Sequence, residues 1–404
     1  MGGRRPTDAT GRGFGLAGRL AARESQGLRR DLAPADRVAE RARLAPDPRG
    51  DPPSFGDEEL VFASNNYLGL ADDERVRRAA VAAVREVGTG AGASRLVTGD
   101  TAVHRALERD LADAKGTERA LVFPSGYAAN VGTIAALDPA AVFSDELNHA
   151  SIVDGCRLSN AETVVYDHAD PDDLARRLDA DPTDGPRLVV TDSVFSMDGD
   201  VAPLGALCDV AEAHDAWVMV DEAHATGLYR DAGGVVQREG LEDRVQVQVG
   251  TLSKALAGQG GFVAGSETLI EHLLNAARPF VFSTGLAPPA AAAAREALRI
   301  AREGDRRERL WENVARLRDG LTDASYDVWG ETQILPVVVA DRRRAIALAE
   351  SLRERGVVAP AIRPPTVPEG TSRLRVAPTA AHAEADVDRC LEAFREAGRE
   401  VGVR

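Results

Sequence analysis

The stretch RLVVTDSVFSMDGDVAPLGALCDVAEAHDAWVMVD (187–221) contains two short apolar runs separated by a helix-like segment. Residues 187–191 and 217–220 have the length and apolar composition of buried strands, and residues 203–214 have the pattern of a helix. A strand, a helix and a second strand in this order need a crossover connection, which makes the two strands parallel. The stretch therefore predicts an α/β fold in which helices cover both faces of a mainly parallel sheet.

The same alternation continues on both sides of this stretch. Further helices are predicted over residues 18–46, 72–87, 101–115, 126–137, 149–158 and 171–180. Further strands are predicted over residues 60–63, 120–123, 141–143, 163–166 and 245–249. Because ligands of such sheets bind beyond the carboxyl ends of the strands, we expect the functional site there.

The C-terminal third has a different pattern. Residues 288–321 are predicted as one long connecting helix. A smaller α+β domain follows, with strands over 334–339, 357–362 and 373–376 and helices over 342–355 and 383–400. We expect an N-terminal arm and helix (1–57), a large domain (58–290), and a connecting helix with a small C-terminal domain (291–404).

The composition argues against several classes of protein. The chain has 404 residues and a formal net charge of −15, whereas nucleic-acid binding uses basic surfaces. It has no apolar run of about 18 residues that could span a membrane, and its start lacks the apolar core of a signal peptide. Its three cysteines have no CxxC spacing, which fits a reducing compartment. These features predict a cytoplasmic protein without nucleic-acid, membrane or metal binding.

Lysine is rare in this chain. Lys115 and Lys254 are the only lysines among 49 Lys and Arg residues. Lys115 is expected at the end of a helix, where a cation is favourable and arginine could replace it. Lys254 lies among small residues in GTLSKALAGQGG (250–261), which leave room for a group bonded to its amine. A crowded lysine can lose its proton and act as a nucleophile, so Lys254 is the candidate for amine chemistry.

Asp221 and His224 lie in AWVMVDEAHATG (216–227). Asp221 ends an apolar strand, where a carboxylate needs a cationic partner such as a pyridinium N–H. A metal site is the alternative, but the other histidines have no metal-binding spacing. A helicase is excluded because the DEAH letters occur without a GxxxxGK[ST] phosphate loop.

Polar or small residues that could bind a ligand also follow other predicted strands. Ser125, Gly126 and Tyr127 open a helix, whose free N–H groups can bind a phosphate. His149 and Ser196 each follow a strand. A phosphate site, an aromatic ring, a strand-end carboxylate and a reactive lysine together are typical of a pyridoxal 5′-phosphate (PLP) site.

Taken in order, these motifs resemble those of the α-oxoamine synthases, PLP enzymes of aspartate-aminotransferase fold type I. The resemblance covers about residues 18–400. The matching stretches are SNNYLGL (64–70), GAGASRLVTGD (90–100), FPSGYAAN (123–130), DELNHASIVDG (145–155), VFSMDGD (194–200), DEAHATG (221–227), TLSKA (251–255) and FSTGLAPP (282–289).

The resemblance implies a role for each catalytic candidate. Lys254 would bond PLP covalently and later remove the Cα proton of an amino acid. Asp221 would pair with the pyridinium nitrogen, and His149 would stack on the ring. His224 and Ser196 would contact the side of the ring that carries the hydroxyl.

The resemblance also implies a phosphate site shared between two subunits. The phosphate would be held by Ser125, Gly126, Tyr127 and Thr251 and, from across a homodimer interface, by Ser283 and Thr284. A homodimer with shared active sites is therefore expected.

The substrates follow from the C-terminal stretch AIRPPTVPEGTSRLRVAPTAAH (361–382), which resembles the family branch that makes 8-amino-7-oxononanoate for biotin. This branch condenses L-alanine with pimeloyl-CoA or pimeloyl-ACP and releases CO2. Arg29, Arg363 and Arg375 match arginines that contact the substrates, and a guanidinium binds a carboxylate through two hydrogen bonds. The alternatives are the condensation of glycine with acetyl-CoA, another α-oxoamine synthase, and a non-catalytic partner subunit.

Overall fold

The computed structural model describes residues 14–26, 28–29, 32–45 and 52–403. They belong to two compact units, one containing residues up to 37 together with 42–58, the other containing 38–41 and the chain from 59 onward. The predicted boundary between residues 290 and 291 lies inside the second unit. The division into a large and a small domain therefore remains a prediction.

The strands occur throughout the described chain. They are β1 (Arg41–Arg43), β2 (Glu58–Val61), β3 (Arg119–Phe123), β4 (Ala141–Asp145), β5 (Glu162–Tyr166), β6 (Arg187–Asp192), β7 (Ala216–Asp221), β8 (Val247–Thr251), β9 (Gly261–Gly265), β10 (Asp327–Val328), β11 (Leu335–Ala340), β12 (Val357–Val358), β13 (Ala361–Ile362) and β14 (Ser372–Val376).

The α-helices alternate with the strands up to β8 and are longest near the C-terminus. They are α1 (Leu16–Ser25), α2 (Glu74–Glu86), α3 (Ala102–Lys115), α4 (Gly126–Leu137), α5 (Ala150–Leu158), α6 (Pro171–Ala180), α7 (Leu204–Ala213), α8 (Val235–Glu239), α9 (Glu267–Ala276), α10 (Arg278–Val281), α11 (Pro288–Glu303), α12 (Arg306–Asp323), α13 (Arg342–Glu354) and α14 (Glu384–Val401). No helix among the described residues is long and apolar enough to cross a membrane.

A seven-stranded sheet of order β3-β9-β8-β7-β6-β4-β5 forms the centre of the second unit. Strands β4 to β8 are parallel, and β9 runs antiparallel to its neighbours β3 and β8. The prediction of a mainly parallel sheet is confirmed. Strand β9 was not predicted because its sequence, GFVAG, begins and ends with glycine, which weakens a strand pattern.

Both faces of this sheet are buried at its central strands, as their apolar residues require, whereas the edge strand β5 is largely exposed. In β7, Val218 and Val220 pack into one hydrophobic cluster, whereas Met219 packs into another. Strand β6 shows the same alternation, with Val189 on the first side and Leu188 on the second. Side chains of a strand alternate between the faces, so the two clusters lie on opposite sides of the sheet.

A smaller antiparallel sheet of order β10-β11-β14-β13 lies in the C-terminal part, and β12 pairs in parallel with β2. The predicted strand over 357–362 is therefore two strands. Pro360 lies between them and has no N–H to donate to a continuous ladder.

Two predicted helices are shorter than expected. The helix predicted over 18–46 ends at Ser25, and residues 41–43 form β1 instead. Pro34 disfavours a helix through that segment because it lacks a donor. The helix predicted over 288–321 is divided into α11 and α12 around Gly304, whose backbone is extended. The sequence pattern predicted which segments have an apolar helical face, but it did not predict where these two helices are interrupted.

Candidate active site

A cavity of about 200 Å³ lies at the carboxyl ends of the central strands. It is lined by Gly126, Tyr127, Asn130, His149, Ser151, Asp192, Ser196, Asp221, Ala223, His224, Thr251 and Lys254. Strands β6, β7 and β8 end at three of these residues, Asp192, Asp221 and Thr251. The cavity therefore brings together residues that lie up to 128 positions apart, from Gly126 to Lys254.

Most residues of the predicted catalytic and cofactor set line this cavity. They are Gly126, Tyr127, His149, Ser196, Asp221, His224, Thr251 and Lys254. Ser125 precedes them as the N-cap of α4. Asn130 and Asp192 were not predicted as site residues, although Asp192 ends a buried strand just as Asp221 does. That shared position was the signal that could have found it.

Lys254 follows β8 and places its amine inside the cavity. Its Nζ lies 2.9 Å from Nε2 of His224. Burial lowers the pKa of Lys254 to about 8, against the opposing effect of the Asp221 and Asp192 charges. Because desolvation disfavours the ammonium, about a tenth of this amine is neutral at pH 7, far more than in an exposed lysine.

His224 is held from its other ring nitrogen. Its Nδ1 lies 2.7 Å from the hydroxyl oxygen of Tyr67, and the backbone oxygen of His224 accepts a hydrogen bond from Gln333 (2.7 Å). Burial and the nearby Lys254 charge keep the pKa of His224 well below its usual value. This imidazole is therefore neutral beside the amine.

Asp221 points a carboxylate into the cavity from the end of β7. Its Oδ2 accepts a hydrogen bond from Asn130 Nδ2 (2.6 Å), and its Oδ1 accepts one from the backbone N–H of Ala223 (2.8 Å). Only 5% of Asp221 is exposed. Each carboxylate oxygen can accept a further hydrogen bond, so Asp221 can bind a cationic N–H donor.

His149 and Asp192 lie on the wall formed by the neighbouring strands. The backbone N–H of His149 donates to Oδ2 of Asp192 (3.1 Å), and its ring Nδ1 lies 2.7 Å from Oγ of Ser151. Burial, and then the charge of Asp221, raises the pKa of Asp192 well above its usual value. Burial also lowers the pKa of His149, which favours a neutral ring.

The first turn of α4 presents backbone donors to the cavity. Oγ of Ser125 accepts a hydrogen bond from the N–H of Ala128 (3.0 Å), which caps the helix. The N–H groups of Gly126 and Tyr127 have no acceptor among the described residues. Such N–H groups, with the positive end of the helix dipole, bind anions.

Close packing holds this turn against the sheet. A Cβ placed on Gly261 of β9 would lie 2.5 Å from the backbone of Gly126, so only glycine fits there. Oγ1 of Thr251 donates to the backbone oxygen of Gly260 (3.0 Å), which fixes the adjacent wall.

Comparison with known proteins agrees with this geometry. Residues 57–394 match the family of aminotransferases of class I and II. The chain belongs to this family. An 8-amino-7-oxononanoate synthase from Anaeromyxobacter dehalogenans is 50% identical to it over 385 residues, which are 94% of each protein. Other bacterial proteins with this name are 44–51% identical to it.

Two solved structures are also similar to this chain over most of its length. Serine palmitoyltransferase from S. paucimobilis, with bound PLP–myriocin aldimine, has a TM-score of 0.88 and 34% identity and covers 96% of this chain and 98% of its own. 8-Amino-7-oxononanoate synthase from Francisella tularensis has a TM-score of 0.70 and 25% identity, with 85% and 98% covered. The predicted fold type and the resemblance to α-oxoamine synthases are confirmed.

Several of the residues that were predicted to bind the cofactor or the substrates lie outside the cavity lining. Ser283 and Thr284 follow α10, and Arg363 follows the edge strand β13; none of them lines the cavity. Arg29 belongs to the first compact unit, where it pairs with Glu24 at 2.8 Å. Their predicted roles stay predictions.

Arg375 is buried behind the cavity wall. Its Nε donates to the backbone oxygen of Ser196 (2.6 Å), and its Nη2 donates to Oδ1 of Asn65 (3.0 Å) and to the hydroxyl oxygen of Tyr67 (3.2 Å). Its Nη1 donates to no described residue. One end of the guanidinium thus supports the wall, while the other can still bind an anion.

Proposed function

We propose that this chain is a PLP-dependent acyltransferase that condenses L-alanine with pimeloyl-CoA or pimeloyl-ACP. The products are 8-amino-7-oxononanoate, CO2 and free CoA or carrier protein, as biotin biosynthesis requires. The observation that carries the proposal is the single cavity that joins the amine of Lys254, the carboxylate of Asp221 and the first turn of α4. The 50% identity to an 8-amino-7-oxononanoate synthase supports the choice of substrates.

The residues of the cavity fit PLP on chemical grounds. Lys254 supplies a partly neutral amine for the aldehyde, and the free N–H groups of Gly126 and Tyr127 suit the phosphate. Asp221 can accept a hydrogen bond from a protonated ring nitrogen. Oδ1 of Asn130 is buried without a partner in the described chain, which leaves a further acceptor at the same wall.

The residues of this chain divide the work of the reaction. Bound PLP stabilises negative charge that develops at the amino-acid Cα. Lys254 Nζ takes the Cα proton and later returns one, for which a pKa near working pH is favourable. Asp221 keeps the ring nitrogen protonated, and Nη1 of Arg375 binds a substrate carboxylate.

We also propose a cytoplasmic homodimer in which Ser283 and Thr284 complete the partner's phosphate site. Thr284 and its neighbour Phe282 are exposed on this chain, which leaves the segment free to contact a second subunit. Sedimentation of the purified protein tests the dimer. Ser283→Ala and Thr284→Ala should weaken PLP binding if the segment reaches a phosphate, and leave it unchanged otherwise.

A second candidate is the condensation of serine with palmitoyl-CoA. The TM-score of 0.88 to serine palmitoyltransferase favours it, but the sequence identity is 34%, compared with 44–51% for the 8-amino-7-oxononanoate synthases named above. The choice of acyl donor depends on side chains more than on backbone shape, so the first candidate has the stronger support.

A panel of substrate pairs tests the proposed function. Thiol release is measured with alanine plus pimeloyl-CoA, alanine plus pimeloyl-ACP, glycine plus acetyl-CoA, and serine plus palmitoyl-CoA. We expect one of the two pimeloyl pairs to give the highest kcat/KM, with 8-amino-7-oxononanoate identified by mass spectrometry. Preference for the glycine or the serine pair would move the assignment to that reaction, and no release with any of the four pairs would contradict the proposed function.

A further inference from the structure

A chain of buried polar groups leads from Arg375 to the amine of Lys254. Arg375 Nη2 lies 3.2 Å from the hydroxyl oxygen of Tyr67, which lies 2.7 Å from His224 Nδ1. On the far side of the ring, His224 Nε2 lies 2.9 Å from Lys254 Nζ. Tyr67 is fully buried, so its hydroxyl must donate its single proton to an acceptor in the protein and not to solvent.

The partners of Tyr67 limit where this proton can be. Arg375 Nη2 donates both to Tyr67 and to Oδ1 of Asn65, and the Tyr67 hydroxyl lies 3.0 Å from the same Oδ1. If the hydroxyl proton pointed to His224, two oxygen acceptors would face each other at 3.0 Å. If it points to Asn65, the contacts with Asn65, Arg375 and His224 each join a donor to an acceptor, provided that His224 Nδ1 carries a proton. The side chain of Gln333 also lies near this hydroxyl, towards which its amide N–H can donate.

The lysine side of the imidazole leads to the same assignment. A protonated Lys254 amine has three donors and no acceptor, so it needs a lone pair on His224 Nε2. A neutral imidazole carries one proton, which then has to lie on Nδ1. Two independent contacts of one ring therefore require the same tautomer.

We propose that Tyr67 is a positioning residue that holds His224 as the Nδ1–H tautomer, so that Nε2 presents a lone pair to Lys254. The Tyr67 oxygen accepts a hydrogen bond from Nδ1–H, while the Tyr67 hydroxyl donates its own proton to Asn65 Oδ1 and accepts a second hydrogen bond from Arg375 Nη2. His224 then accepts a hydrogen bond from the ammonium of Lys254. Any catalytic role of this tautomer rests on the proposed function, whereas the assignment of the proton rests on the hydrogen-bond contacts alone.

Nitrogen NMR tests the proposal directly, because protonated and unprotonated imidazole nitrogens resonate far apart. The full-length protein is labelled with 15N-histidine, and His224→Gln identifies the His224 signals. Spectra are recorded without PLP and after PLP is added, at a pH below 8. We expect protonated Nδ1 and unprotonated Nε2 in the cofactor-free protein; the reverse pattern would overturn the proposal.

Two variants test the part played by Tyr67. Tyr67→Phe removes the acceptor of Nδ1–H, and Asn65→Ala frees the tyrosine proton to point at Nδ1. Each should lower the ratio of Nδ1–H to Nε2–H by about tenfold, the equivalent of one ordinary hydrogen bond. Unchanged His224 signals in both folded variants would contradict the role of Tyr67.

A matched control removes a buried tyrosine hydroxyl elsewhere. Tyr326 donates to the backbone oxygen of Phe394 (2.7 Å) and does not line the cavity. Tyr326→Phe should leave the His224 signals unchanged. All these readouts are obtained without turnover, so an incorrect acyl donor in the proposed function would not change them.

Discussion

Lys115 and Lys254, the two lysines of the chain, lie in opposite electrostatic environments, the first fully buried and the second part-buried in the wall of the cavity. Nζ of Lys115 forms an ion pair with Glu222 at 2.5 Å, and both side chains have 0% exposure. Lys254 forms no ion pair with any described carboxylate and contacts the neutral imidazole of His224 instead. The charge of Lys115 is balanced by a carboxylate in direct contact, whereas the charge of Lys254 has no carboxylate in contact with it.

The comparison of the two lysines shows that the surrounding charges decide whether the same residue type is structural or reactive. Lys115 sits over the ring of Phe262, and Glu222 also accepts a hydrogen bond from the N–H of Val236 (2.9 Å), so the pair is satisfied. Lys254 has no such partner, and burial lowers its pKa to about 8. The expectation that arginine could replace Lys115 stays a prediction, and the full burial of this ion pair means that a larger guanidinium would have to be packed inside the core.

The largest expected effect is on the reactive lysine. Lys254→Ala and Lys254→Arg should lower CoA release by at least about 10²-fold, since each removes a positioned acid–base group. Borohydride should fix PLP to the peptide that contains Lys254 in the wild-type protein, and to neither variant. Fixation at Lys115 would reverse the roles of the two lysines.

The structural lysine should matter for stability. Lys115→Met leaves Glu222 buried and unpaired, and should lower the free energy of unfolding in urea by about 3–5 kcal/mol. Lys115→Met combined with Glu222→Gln should recover much of this loss because no charge is left unpaired. Arg299→Met, which removes the ion pairs of a half-exposed arginine with Glu296 and Glu303, is the control and should cost far less. Equal losses in both single variants would contradict the comparison.

Chemical modification compares the two amines in one sample. A pKa shift from 10.5 to about 8 raises the neutral fraction of Lys254 at pH 7 roughly 300-fold over an ordinary lysine. Reductive methylation of the cofactor-free protein should therefore label Lys254 with a half-maximal rate near pH 8. Lys115 should react only after unfolding. Peptide mass spectrometry measures both, and labelling of Lys115 in the folded protein would refute its burial.

His168 is a third cation that is held by carboxylates, and its contribution to stability should depend on pH. His168 bridges Asp145 Oδ1 (3.0 Å) and Asp200 Oδ2 (2.8 Å), and these carboxylates raise its pKa to about 10 against the effect of burial. Its stabilisation is fully present below pH 6.5, where the unfolded histidine is also charged, and is lost as pH rises through about 10.

The difference in unfolding free energy between the wild type and His168→Gln should therefore shrink from pH 6.5 towards pH 10. Urea unfolding at several pH values measures it, with His272→Gln as the control for an exposed histidine. A difference that grows with pH would show that the carboxylates do not hold the charge.

The sequence predicted the central strands and helices closely because each buries an apolar face with its own period. Strand β9 and the break at Gly304 were missed, since glycine gives little periodic signal. Within the site, Lys254 and Asp221 could be found because each is chemically unusual where it stands. Tyr67 could not, because a tyrosine in SNNYLGL shows nothing locally of the histidine that it contacts 157 positions later.

The sequence by itself determined the α/β fold, the candidate cofactor and the identity of its lysine, because apolar periodicity and rare residue types are local properties of a chain. Only the tertiary structure decided that Lys115 is paired with Glu222 and that Lys254 faces a neutral histidine held by Tyr67. The acidity of an amine depends on which charges lie within a few ångströms and on how much water reaches it. Both quantities exist only after residues far apart in sequence have packed together.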